Sequence, residues 1–165
     1  MIVIGSRARA LAALALVLLV ALPRAAPAAP DDSRYFVGEW ICGGTTPWTF
    51  APLGPGDATW IKVTYGKADQ PYGTAVLGFV KGLGAWVYRD FHTDGSYADL
   101  TSPGLVDGRW VWSGPYYPVG STTVLNGHVT YVVVDAQRYD RVFESLKDGK
   151  LVKMGGDTCL RQTVK

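Results

Sequence analysis

Between Arg89 and Asp94 the chain carries its one compact polar cluster, Arg89-Asp90-Phe91-His92-Thr93-Asp94. Side chains alternate between the two faces of a β-strand, so Asp90 and His92 point the same way and Asp94, at a following turn, can converge on them. A carboxylate that orients an imidazole suits a general base, and a third ligand from Asp94 would suit a weak divalent-metal site. The spacing is unspecific, however, and a solvated hairpin end with Asp94 as its turn former accounts for the same residues. That plainer reading is preferred, so no catalytic or metal-ligating residue is assigned. His128 follows Asn126-Gly127 and reads as exposed at a turn. There is no Gly-x-Ser-x-Gly elbow, no His-Glu-x-x-His, no phosphate-binding glycine loop and no close cysteine pair, and no cofactor is expected.

Aromatic side chains offer a second kind of chemistry. Trp86 and Tyr88 share one face of a strand, Trp110 and Trp112 share a face of another, and Trp60 and Tyr131 occupy neighbouring elements. Turned inward, these six would line an apolar cavity whose indole and phenol groups orient a ligand, and they are the candidate ligand-binding residues. In a filled interior they would simply be core.

The elements that must hold these residues are written in turn signals. Asp94-Gly95, Asp107-Gly108, Asn126-Gly127 and Asp148-Gly149 supply the positive φ angles that tight hairpins need, between apolar or aromatic runs. Lys81-Gly82-Leu83-Gly84 reads as a further turn, Ala51 to Asp57 as an early loop, and Pro115 to Gly120 as a longer loop at a barrel mouth. The predicted strands are Tyr35 to Cys42, Ala58 to Tyr65, Gly73 to Val80, Ala85 to His92, Ser96 to Thr101, Arg109 to Ser113, Thr122 to Leu125, His128 to Asp135, Tyr139 to Leu146, Leu151 to Met154 and Thr158 to Thr163. Only Val134 to Arg141 has room for a short helical turn.

Cys42 and Cys159 sit near opposite ends of this meander. Directly opposed residues of an antiparallel ladder have a constant sum of positions, so pairing Cys42 with Cys159 also sets Trp40 opposite Arg161. First strand then meets last, which closes the sheet into a barrel and removes its exposed edges.

Residues 1–28 carry Arg7 and Arg9, an apolar run from Leu11 to Leu22 and an Ala26-Pro27-Ala28 cleavage pattern, which is the pattern of a secretory signal peptide. Twelve apolar residues span only about 18 Å as a helix, too short for a bilayer core of about 30 Å, so no membrane span is expected after cleavage. An exported destination, periplasmic or extracellular, makes a disulfide the natural state of the two cysteines. Loss of Arg7, Arg9 and Arg24 takes the formal charge from +2 to −1, leaving no basic stripe for nucleic acid. All six Trp, nine Tyr and five Phe fall in residues 29–165, which form one all-β domain.

With Gly38-Glu39-Trp40 on the first strand and Cys159-Leu160-Arg161 on the last, the chain resembles the lipocalin and calycin superfamily, and within it small exported bacterial lipocalin-like proteins without an assigned activity. The resemblance implies an up-and-down barrel of eight to ten strands in which Gly38, Trp40 and Arg161 are structural, the arginine packing over the tryptophan at the closed end. It also implies non-covalent binding of a small apolar or amphipathic ligand. The Thr-Asp-Tyr motif of many lipocalins is missing, there is no room after the last strand for the usual C-terminal helix, and no histidine lies near the C-terminus as in haem-binding nitrobindin-type barrels. Two other functions fit the same residues: a filled barrel that presents its loops to a protein or to the cell envelope, and a small enzyme using Asp90 and His92.

Overall fold

A computed structural model describes residues 31–54 and 60–163. The signal-peptide reading of residues 1–28 lies outside them, as do the last residues of the Ala51 to Asp57 loop. Among the described residues the chain forms a short 3-10 helix, Asp31–Phe36, and eleven strands: β1 (Gly38–Cys42), β2 (Thr46–Pro52), β3 (Trp60–Lys67), β4 (Gln70–Val80), β5 (Ala85–His92), β6 (Tyr97–Ser102), β7 (Leu105–Val106), β8 (Arg109–Tyr117), β9 (Leu125–Asp135), β10 (Arg138–Lys147) and β11 (Lys150–Arg161). Antiparallel pairing runs from β6 through β5, β4, β3, β2 and β1 to β11, β10, β9 and β8. A final β6–β8 ladder closes the sheet, leaving the two-residue β7 outside a ten-stranded barrel.

The closing register between first and last strands is the expected one: Trp40 faces Arg161, Ile41 faces Leu160 and Cys42 faces Cys159, the two cysteines joined by a disulfide. At the other seam, between β6 and β8, the ladder is interrupted where Gly114 passes Asp99. A Cβ at Gly114 would stand 2.2 Å from the Asp99 carbonyl oxygen, so this close approach requires glycine.

Two of the turn signals act as read. Asp107-Gly108 (φ 49° and 71°) and Asp148-Gly149 (φ 50° and 74°) both place two residues at positive φ, the geometry of type I′ hairpins. Asp94 makes an Asx turn, its carboxylate accepting from the backbone N–H and hydroxyl of Ser96 at 2.8 Å each. Asn126-Gly127 makes no turn. It lies inside β9, opposite Pro115 and Gly114, and the reversal is made instead by residues 118–124, around Pro118 and a positive-φ Gly120. The predicted Thr122 to Leu125 strand accordingly reduces to its last residue, and Pro115, Tyr116 and Tyr117 belong to β8 rather than to a loop.

Other differences have equally local causes. β2 was not anticipated because Pro47 and Pro52 bracket it; Pro47 escapes the penalty of a missing N–H because only β1 pairs with it, β3 joining from Trp48 onward. Leu151 to Met154 and Thr158 to Thr163 form one strand, β11, carried past Gly155-Gly156 by a bulge at Met154. Val134 to Arg141 contains a tight hairpin and no helix. The first strand begins at Gly38, since Tyr35 and Phe36 belong to the 3-10 helix.

That helix plugs one end of the barrel. Phe36 is buried, its ring 5.2 to 6.0 Å from those of Phe50, Trp110, Tyr131 and Tyr139. The Trp40 indole N–H donates to the Phe36 carbonyl at 2.8 Å. Arg161 lies 4.2 Å over the Trp40 ring and donates to the carbonyls of Val37 (2.8 Å), Ala136 (3.1 Å) and Tyr35, tying plug, β1 and the β9–β10 turn together. Gly38 has no side chain where Arg161 passes: a Cβ there would lie 3.0 Å from Nη1. The structural reading of Gly38, Trp40 and Arg161 thus has a specific form. They make the closed end.

Candidate functional site

Alternation along each strand decides what faces inward, and the two halves of the interior differ. Next to the plug, Phe36, Trp40, Phe50, Trp86, Trp110 and Tyr139 are buried inside the barrel and pack against one another. Trp110 stacks on Trp112 at 4.8 Å, Trp112 lies 5.2 Å from Tyr88, and from this level outward the interior opens into a cavity of about 450 Å³. Its wall is built mainly from Trp48 on β2, Tyr65 on β3, Tyr72 on β4, Tyr88, Asp90 and His92 on β5, Trp112 on β8, and Tyr131 and Arg141 on β9 and β10.

Of the six aromatic residues read from the sequence, Tyr88, Trp112 and Tyr131 line this cavity. Trp86 and Trp110 are packed beneath it, 5.1 Å apart in an edge-to-face contact. Trp60 is on the outer face: Ile61, Val63 and Tyr65 take the inward positions of β3, which leaves Trp60 37% exposed. The expectation that Trp60 faces inward is therefore corrected. Register supplies the reason, because a shift of one residue exchanges every face of a strand and the aromatic type does not report the phase.

Asp90 and His92 do share a face and they touch. His92 Nε2–H donates to Asp90 Oδ2 at 3.0 Å within the cavity wall. Asp94 does not join them, its carboxylate being spent on the turn. Among the described residues no group of three or more His, Cys, Asp or Glu is placed to hold a metal ion. His92 also packs against Tyr65 at 5.5 Å and Tyr72 at 6.0 Å, two rings that are themselves 5.9 Å apart, so the imidazole belongs to a three-ring cluster and is oriented at its edge by Asp90. His128, outside this cluster, accepts or donates at Ser113 Oγ at 2.9 Å, on the neighbouring β8.

The hydrogen bond to Asp90 raises the His92 pKa above its ordinary value, against the opposing effect of burial. A proton held more tightly in the folded state stabilises it at low pH, and this contribution fades as pH rises through the folded-state pKa. An NMR titration of His92 is expected to give a midpoint above about 6.5 in the wild type and a lower one in Asp90→Asn. Equal midpoints would show that Asp90 does not set the imidazole's charge.

Glu144 and His128, opposite each other on β10 and β9, also line the cavity, and its other polar groups are neutral phenols or a paired guanidinium. Burial pushes the phenols of Tyr65 and Tyr88, which hydrogen-bond each other, well above their usual range and that of Tyr131 up to about 12, so all three remain hydroxyls. Burial works against the charge of Arg141, but its hydrogen bonds to Asp157 more than offset this and hold the guanidinium firmly cationic. That pair is bidentate, Nε to Oδ1 at 2.7 Å and Nη2 to Oδ2 at 2.5 Å, and the guanidinium lies 3.9 Å over the Trp48 ring. Gly156 lets β11 run close to this point: a Cβ there would meet the Arg141 carbonyl at 2.5 Å.

Sequence reasoning missed Trp48, Tyr65, Tyr72 and Arg141. Trp48 went unread with β2 itself, but Tyr65 had a usable signal, since it ends the alternating run Ile61, Val63, Tyr65. Arg141 and Asp157 gave none, because only the β10–β11 register, with Arg141 opposite Asp157, makes them partners.

No family model matches the chain, and no curated protein matches it. No helix among the described residues is long and apolar enough to cross a membrane.

Proposed function

We propose that this barrel is an exported, non-catalytic binder of a small apolar or amphipathic molecule, held without covalent chemistry in the open half of its interior. The observation that carries the reading is the cavity itself: about 450 Å³, walled by Trp48, Tyr65, Tyr88, Trp112 and Tyr131, above a half-barrel occupied by buried aromatic side chains. A volume of this order is within the range of sites that take one small ligand, and aromatic walls with a few polar groups are the usual means of binding and orienting it. Export is supported by the Cys42–Cys159 disulfide and by the signal-like residues 1–28. The lipocalin-like kinship is supported by the closed end that Gly38, Trp40 and Arg161 build, and rests on those residues.

Ala98 faces the cavity from β6, opposite Asp90 and Tyr116, and is the smallest side chain in the wall. Ala98→Trp places an indole in the space a ligand would fill. Native mass spectrometry of the wild type, isolated gently from its own host, is expected to show an excess mass lost on denaturation. Ala98→Trp, with near-UV circular dichroism confirming a native fold, is expected to lose that mass or to bind the released compound at least about tenfold more weakly, the effect of roughly 1.4 kcal/mol of steric conflict. Unchanged binding by the variant would place the ligand elsewhere.

One observation favours a second reading. The Asp90–His92 contact is the arrangement of a carboxylate-oriented general base. Hydrolysis of p-nitrophenyl acetate above the buffer rate, abolished in His92→Asn with the fold intact, would select an enzyme over a carrier.

A further inference from the structure

Among the described residues the cavity wall holds three buried polar atoms without a hydrogen-bond partner, and one of them is a carboxylate oxygen. Asp90 Oδ2 accepts from His92, but Asp90 Oδ1 is buried and accepts no hydrogen bond in the geometry of the described residues, the nearby Tyr65 hydroxyl, which the carboxylate influences, being bonded to Tyr88. The indole nitrogens of Trp48 and Trp112 are also unpartnered in the wall, yet so are those of Trp86 and Trp110 in the filled half. Unpaired indoles are therefore a general property of this core and do not mark a ligand. A carboxylate oxygen is different in kind, because leaving an ionised oxygen without a donor costs far more than leaving an indole N–H unmet.

The basic side chains of the cavity wall are Arg141, His92 and His128, and each already has a partner, His128 being hydrogen-bonded to Ser113 and standing opposite Glu144. Arg141 is held bidentately by Asp157, and His92 by Asp90. An anionic headgroup would meet the free Asp90 oxygen with no unpaired positive charge to offset it. A neutral O–H or N–H would supply the missing donor and disturb neither pair.

Resting on the carrier reading, we propose that the ligand is an uncharged amphiphile whose flat apolar body lies among Trp112, Tyr88 and Tyr131 and whose hydroxyl or N–H headgroup donates to Asp90 Oδ1. Asp90 is then the residue that distinguishes an alcohol, phenol or neutral N–H compound from an acid of the same shape. The aromatic walls provide affinity and the single acceptor provides selection.

Three probes of one shape test this: naphthalene, 2-naphthol and 2-naphthoate, titrated against the mature protein at neutral pH by tryptophan fluorescence and calorimetry. Expected is 2-naphthol binding roughly tenfold tighter than naphthalene, the effect of one hydrogen bond to a charged acceptor, with 2-naphthoate weakest. In Asp90→Ala the preference for 2-naphthol over naphthalene should fall to about onefold while naphthalene itself still binds. Asp90→Asn, which retains an oxygen acceptor without charge, should keep part of the preference and serves where Asp90→Ala fails to fold. Binding of 2-naphthoate equal to or tighter than that of 2-naphthol overturns the inference, as does a preference that survives Asp90→Ala. In either case bound naphthalene leaves the carrier reading standing. Failure of all three to bind overturns both.

Discussion

Reduction of the Cys42–Cys159 disulfide, or the double substitution Cys42→Ala/Cys159→Ala, is expected to lower the unfolding free energy by about 4 kcal/mol. The two residues are 117 apart in sequence, so the bridge removes the closure entropy of nearly the whole described chain from the unfolded ensemble. It also lies where closure is thinnest. β1 contributes only three pairs to β11, and these three hold the first and last strands together. Arg161 and the plug reinforce the same seam from its inner end, which is why the barrel is expected to remain folded, though less stable, without the bridge. Urea unfolding with and without reductant measures the difference. A loss below about 1 kcal/mol would mean that the Arg161 contacts and β-pairing close the barrel by themselves and that the bridge adds little to the entropy already restricted in the unfolded chain.

Arg141→Met is expected to cost about 3 kcal/mol and to be partly rescued by a second substitution, Asp157→Leu. Arg141 is 6% exposed, with both of its charge-assisted hydrogen bonds on one carboxylate and its guanidinium seated on Trp48. Removing it strands the Asp157 carboxylate at the barrel wall and also removes packing from the indole. Asp157 retains 24% of its side-chain exposure, so water relieves part of the penalty, and the cost falls at the lower end of the range for breaking a buried pair. Replacing both partners removes the uncompensated charge together with the pair that required it. Chemical denaturation of wild type, both single variants and the double variant closes the cycle. A double variant no more stable than Arg141→Met would show that the guanidinium acts through its stacking on Trp48 and not through Asp157.

How far the site was legible follows from which residues carry a local signal. Asp90 and His92 are two apart on one strand, and period-2 alternation alone puts them on one face, so their meeting could be read before any fold was known. Whether that face was solvent or interior could not, and the solvated reading preferred from the sequence gave way to a cavity wall. Tyr88 was read as inward and lines the cavity, whereas Trp60, equally aromatic, faces out. The filled and open halves of the barrel are also indistinguishable by residue type: Trp110 and Trp112, two positions apart on the same face of β8, lie on either side of the boundary. Trp110 differs in being packed by Phe36, which is brought in by a 3-10 helix that the sequence suggested only as the start of a strand.

By itself the sequence determined the strand-and-turn meander, the all-β class and the closure of first strand on last, because each rests on local or arithmetically linked features: positive-φ Asx-Gly pairs, alternating apolar residues, and two cysteines whose spacing from Trp40 and Arg161 fits a single antiparallel register. Tertiary structure alone decided the rest. The partnership of Arg141 with Asp157, the orphaned oxygen of Asp90 and the depth to which the plug fills the barrel all depend on which strands become neighbours and on what volume remains once every side chain is placed. An empty space is a sum over the whole interior, and no residue carries it in its own type or spacing.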